Sequence, residues 1–100
     1  MDIKLNSNSN YSIQCTLDGA QYKLSFRWIE NELAWYMDLG GLTDTTIAVH
    51  SIRLVGGVNL IEPYALVDLG ELWLVDMSGA YSDPTYDNFE TDFVLYYIEK

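Results

Sequence analysis

YSIQCTLDGAQYKLSFRW, residues 11–28, alternates apolar and polar side chains on both sides of an Asp18-Gly19 pair. Period-two alternation is the mark of a half-buried strand, and Asp-Gly is a preferred two-residue loop between antiparallel strands. With that loop, Leu17 faces Ala20, Cys15 faces Tyr22, Ile13 faces Leu24 and Tyr11 faces Phe26 on one side of the hairpin. Gln14 then faces Lys23, and Ser12 faces Ser25, on the other. Both strands agree on which face is apolar. A slip of one residue would turn every apolar side chain to water, so the register is specified.

The pattern continues outward. Trp28 ends the second strand, Glu30-Asn31-Glu32 interrupts, and Leu33, Trp35, Met37 and Leu39 resume the alternation up to Gly40-Gly41. A loop centred on Asn31 and Glu32 sets Trp28 opposite Trp35 and Phe26 opposite Met37, an aromatic pair beside a sulfur–ring contact. Tyr22, Leu24, Phe26, Trp28 and Trp35 are the expected core anchors. Thr46–Val55 is apolar on both alternating faces, which predicts a strand buried on both sides. Residues 56–69, framed by Gly56-Gly57 and containing Pro63, read as a packed connection. Glu71–Met77 reads as a strand with apolar residues on both faces, residues 78–90 as a long exposed loop rich in turn formers, and Phe93–Ile98 as the final strand. With a short Ile3–Leu5 segment this makes about six or seven strands. The expected fold is all-β, a small antiparallel β-sandwich or partly closed β-barrel in a single domain spanning residues 1–100, with no amphipathic helix.

Composition narrows the function. The 100 residues carry 15 acids against 5 bases, a net charge of −10. Such a chain repels nucleic-acid phosphates, so direct nucleic-acid binding is not expected. The imbalance is greatest in residues 62–100, with nine acids and only Lys100 as a base, a net −8. No membrane span and no signal peptide are expected, because no apolar stretch is long enough for either. One cysteine and one histidine exclude nearly every zinc constellation, and neither a metal nor a cofactor is expected.

Candidates for chemistry are few. His50 has no base or nucleophile spaced to work with it, since alternation sends Ser51 to the opposite face. Cys15 lies on the apolar face as a small hydrophobe. Asp83, Asp87, Glu90 and Asp92 crowd one loop without the spacing of an EF-hand. The same acids beside Tyr81, Tyr86 and Phe89 have the composition of a glycosidase cleft, but a chain this short offers little volume to exclude water. No catalytic residue is assigned. A carbohydrate-binding module is the alternative reading, with Trp73, Tyr36, Tyr81 and Tyr86 as the stacking platform, and a small adaptor protein ranks below it.

The succession LDGAQYKLSFRW, LAWYMDL, IRLVGGVNLI, GELWLVDMSG and DNFETDFVLYY resembles the baseplate plug family of contractile-tailed cyanophages. These motifs are structural, and the Asn-rich start and the 61–69 connection depart from the family pattern. The resemblance implies a virion structural protein of a myophage tail, made in the bacterial host cytoplasm, that plugs or lines the central hub at the lower end of the tail tube. Its implied partners are other baseplate and hub proteins and the tail-tube end. Two-sided apolar strands further suggest a symmetric homo-oligomer, threefold or sixfold, that absorbs the excess apolar surface. Arg27, Arg53, Trp73, Tyr81 and Tyr86 are the candidate interface residues, the arginines because bases are scarce.

Overall fold

A computed structural model of the chain describes residues 2–6, 8–42, 48–64, 69–79 and 83–99. Among the described residues it is mostly β: seven strands in two antiparallel sheets with one short helix, a sandwich and not a closed barrel. The strands are β1 (Asp2–Ile3), β2 (Asn10–Leu17), β3 (Ala20–Ile29), β4 (Ala34–Gly41), β5 (Ala48–Arg53), β6 (Glu71–Asp76) and β7 (Phe93–Ile98), with α1 (Phe89–Asp92) before β7. One sheet has four strands in the order β2-β3-β4-β5, the other three in the order β1-β7-β6.

The first hairpin has the register read from its alternation, from Leu17↔Ala20 to Tyr11↔Phe26. Asp18 and Gly19 have φ of 49° and 81°, the left-handed pair that a two-residue loop needs to match strand twist. The second hairpin pairs Trp28 with Trp35 and Phe26 with Met37. Leu33, expected to open the third strand on its apolar face, instead ends the turn at φ 50° and is 67% exposed.

β5 departs from expectation, and one irregularity explains it. Met37 pairs with Ile52 and Leu39 with Val49, so His50 and Ser51 together oppose the single residue Asp38. This bulge, with Ser51 at φ 59°, changes the parity of the strand. Val49 and Ile52 therefore both face the core, while Ala48, His50 and Ser51 are exposed. The strand is buried on one face only: Val49 and Ile52, which strict alternation sets on opposite faces, share the core face. Thr46 and Ile47 lie outside the described residues.

The two sheets close over one apolar cluster. Tyr22, Leu24, Phe26, Trp35, Met37 and Leu39 from the larger sheet meet Leu72, Leu74, Phe93, Leu95 and Tyr97 from the smaller. The 56–64 connection packs as expected through Leu60 and Ile61, and it is tied to β6. Leu60 N donates to Leu72 O at 2.7 Å, and Asn59 Oδ1 accepts from Leu72 N at 3.0 Å. Leu66, Val67 and Asp68 lie outside the described residues.

The expected exposed loop before β7 folds back onto the core. Phe89, in α1, is fully buried, its ring stacked on Trp35 with centroids 4.1 Å apart and planes at 15°. Asn88 organises the turn: its Oδ1 accepts from Thr85 N at 2.7 Å, and its carbonyl accepts from Asp92 N at 2.9 Å. Trp35 Nε1 donates to Thr85 O at 3.1 Å, fastening the loop to β4. A second tie joins the sheets. The Tyr97 hydroxyl of β7 donates to the Asp18 carboxylate in the first hairpin turn and accepts from Gly70 N at 2.7 Å.

Candidate functional site

Alternation assigns each sheet an inner and an outer face, and the two outer faces differ in kind. On the three-stranded sheet, the pairs Trp73↔Tyr96, Val75↔Val94 and Glu71↔Ile98 point away from the core, with Asp2 opposite Tyr96. A solvated antiparallel face is ordinarily polar. Here Val75 is 40% exposed, Tyr96 41% and Ile98 44%, with Trp73 and Val94 half-buried between them. Met77, 67% exposed, extends the patch past the end of β6. The indole of Trp73 is oriented by its Nε1, which donates to Glu71 Oε1 at 3.0 Å. The result is a contiguous apolar face with carboxylates at its margin.

The outer face of the four-stranded sheet is ionic. Arg27 Nη1 donates to Asp38 Oδ2 at 2.8 Å and Arg27 Nη2 to Ser51 Oγ at 2.8 Å, while its guanidinium lies 5.8 Å from the Tyr36 ring centroid. Asp38 Oδ1 accepts from Ser51 N at 2.7 Å, so one carboxylate holds both the arginine and the left-handed residue of the bulge. Burial alone would raise the Asp38 pKa; the Ser51 amide and the Arg27 guanidinium outweigh it and hold the carboxyl below its ordinary value. Arg27, expected to reach an acidic neighbour, is thus satisfied within its own chain. Arg53 is exposed on β5 opposite Tyr36, whose hydroxyl donates to Glu32 Oε1 at 2.7 Å.

Asp38, His50 and Ser51 come together here because the bulge puts Ser51 on the same face as His50, contrary to the parity argument. The geometry is not that of a nucleophile and its base. Ser51 Oγ is engaged by Arg27, and His50 Nδ1 lies 3.9 Å from Asp38 on an open surface. The acids Asp83, Asp87, Glu90 and Asp92 do not converge: among the described residues no three His, Cys, Asp or Glu side chains are placed to share a metal ion. Cys15 is half-buried, and burial pushes its thiol pKa up, away from the reactive thiolate.

The aromatic residues are also separated. Trp73 lies on the outside of the smaller sheet and Tyr36 on the outside of the larger, so they form no common stacking platform. Tyr86 packs against Trp35 and Trp28, with centroids 6.1 and 5.8 Å away. Tyr81 lies outside the described residues. Of the core anchors, Tyr22, Leu24, Phe26 and Trp35 are buried. Trp28 is only half-buried at the margin of the core, its Nε1 donating to Glu30.

The family model described as "Cyanophage baseplate Pam3 plug gp18" matches residues 1–100. The chain belongs to this plug family. No curated protein matches it. Membership in the plug family makes the chain a baseplate component of the phage tail and implies interaction with other baseplate components. Sequence reasoning set Trp73 and Val75 together on the second apolar face of β6 but missed Val94, Tyr96 and Ile98 across from them. The signal was present in VLYYI, residues 94–98, where the positions between the core residues are apolar as well.

Proposed function

We propose that this protein plugs or lines the central hub of the baseplate at the lower end of the tail tube and acts through assembly, not catalysis. The single observation that carries the reading is the family match over residues 1–100. The apolar outer face built on Trp73, Val75, Val94, Tyr96 and Ile98 supports it, since a patch of this kind marks a protein contact. Its occupant is a baseplate or hub protein surface with an apolar centre and a rim of Lys or Arg. Charge complementarity argues for that chemistry: Asp2 and Glu71 stand on the face, and residues 62–100 carry a net −8. An acidic plug in a DNA conduit also leaves the DNA unbound.

Quantitative mass spectrometry of purified virions tests the reading, with this chain counted against the tail-tube protein. The expected result is a copy number that fits one threefold or sixfold layer. In the same virions, cross-links from Asp2 or Glu71 should reach lysines of a hub or baseplate protein. Absence of the chain from the virion, or cross-links that avoid this face, would overturn it. Val75→Asp should fold normally and fail to enter the particle.

A further inference from the structure

The two sheets present four lateral edges, and three of them are blunted. β1 is only 2 residues long, β5 is bent by the bulge at Ser51, and β6 is bordered by Gly56 and Asn59 of the connection. β2 is different. It runs for 8 residues in unbroken register with β3, contains neither proline nor a charged side chain, and has no described strand on its other side. Exposed edges are ordinarily protected by charge, proline or a bulge, because their free N–H and C=O groups template pairing with another chain.

The absence of charge extends beyond the strand. LNSNSNYSIQCTL, residues 5–17, holds no ionisable carboxylate or base in a chain of net charge −10. Two copies repel each other over most of their surface, and this edge is where they approach without like charges in opposition. The main-chain geometry fits as well. The two-residue turn directs the backbone groups of Leu17, Cys15, Ile13 and Tyr11 to β3, a pattern continued by Trp28 N donating to Ser9 O at 2.8 Å. Ser12, Gln14 and Thr16 therefore turn their N–H and C=O groups outward.

We propose that β2 is a self-association edge, at which two copies pair their β2 strands antiparallel about a twofold axis at Gln14. In that register Gln14 meets Gln14 of the second copy, and Ser12 meets Thr16. Ile13 meets Cys15, so that half-buried side chains at the margin of each core cover one another. The pairing joins the two four-stranded sheets into one continuous sheet. It stands independently of where the protein sits in the baseplate. Within a threefold or sixfold assembly, such a contact would join two layers, because a twofold contact is closed.

The test uses the purified full chain, by sedimentation velocity across a range of concentrations and by amide hydrogen exchange. The wild type should show a concentration-dependent dimer, with the Ser12, Gln14 and Thr16 amides protected as it forms. Gln14→Pro removes only the outward N–H and leaves the ladder to β3 intact, so it should raise the dimer dissociation constant at least about tenfold with an unchanged far-ultraviolet spectrum. Gln14→Glu sets two carboxylates face to face; its dimer should weaken at low salt and recover at high salt. Gln14→Ala, which keeps the backbone, should dimerise like the wild type. A wild type that stays monomeric with these amides exchanging freely overturns the proposal, as does a dimer indifferent to both Gln14→Pro and Gln14→Glu.

Discussion

Phe89→Ala should be among the most damaging single truncations in this protein, although the residue lies in a stretch that reads as a loop. Its ring is fully buried, stacked on Trp35 at 4.1 Å and tilted against Phe26 at 6.2 Å between centroids. Removing a buried phenylalanine costs about 3–5 kcal/mol, the lost transfer energy plus that of the cavity left behind. The cavity would sit against Trp35, whose Nε1 is held by Thr85 O in the same loop, so loosening of the turn adds to the loss. We expect a destabilisation of about 4 kcal/mol, a large fraction of the roughly 5–15 kcal/mol of a domain this size. At about 4–8 °C per kcal/mol, the melting temperature should fall by about 16–32 °C. Urea unfolding followed by tryptophan fluorescence measures both the loss and the exposure of Trp35 to water. Phe89→Leu, which keeps most of the apolar volume, should recover more than half of it. A loss below about 1 kcal/mol for Phe89→Ala would refute the packing of this turn on the core.

Trp28→Ala should cost less, about 2 kcal/mol by the same denaturation assay, because its ring is only half-buried between Trp35 and Tyr86. Asp38→Asn gives up the Arg27 ion pair and weakens the hold on Ser51, with a loss of about 1 kcal/mol. The lowered pKa of Asp38 contributes stability above the ordinary carboxylate range that is lost as pH falls through its folded value, so Asp38→Asn should also make the acid limb of a stability–pH curve shallower. At the alkaline end, burial pushes Tyr11 up to about 12, and burial together with the Asp18 hydrogen bond raises Tyr97 as well. Raised tyrosines contribute stability that is complete below their ordinary value of 10.0 and disappears as pH climbs through the folded value. Tyr97→Phe should therefore cost about 1–2 kcal/mol at neutral pH and flatten the decline above pH 10, measured by thermal melts across pH.

Where local rules act without competition, they were legible. Alternation and the Asp18-Gly19 turn specify the first hairpin residue by residue, and the same alternation pairs Trp28 with Trp35. Legibility fails where one residue changes the parity. Nothing near Ser51 announces a left-handed residue: it has no glycine's freedom, and its conformation is secured by Asp38, thirteen positions away in sequence. Phe89 was hidden for a related reason. The turn formers around it predict an irregular path correctly, but only the Trp35 face, far away along the chain, makes that path a packed one. Arg27 was legible as an unusual charge and not as a satisfied one, because its partners lie on the next strand and in the bulge beyond.

The distribution of ionic groups decides what kind of surface can cover the apolar face. Lys23, Arg27 and Arg53 belong to the four-stranded sheet, where Arg27 is already neutralised by Asp38, and the three-stranded side has Lys4, just after β1, as its one base among the described residues. Asp2 and Glu71, on the opposite side of the sandwich, have no ion-pair partner among the described residues. An uncharged or acidic partner would leave those carboxylates desolvated and uncompensated, which costs more than a simple apolar contact returns. A basic rim turns the same groups into attraction and orients the approach. The β2 edge meets the opposite requirement, since it is free of charge and polar along its outer side, and it lies on the other sheet. Pairing at that edge leaves both apolar faces open, so a paired plug would present two docking surfaces to the surrounding baseplate and not consume the one it has.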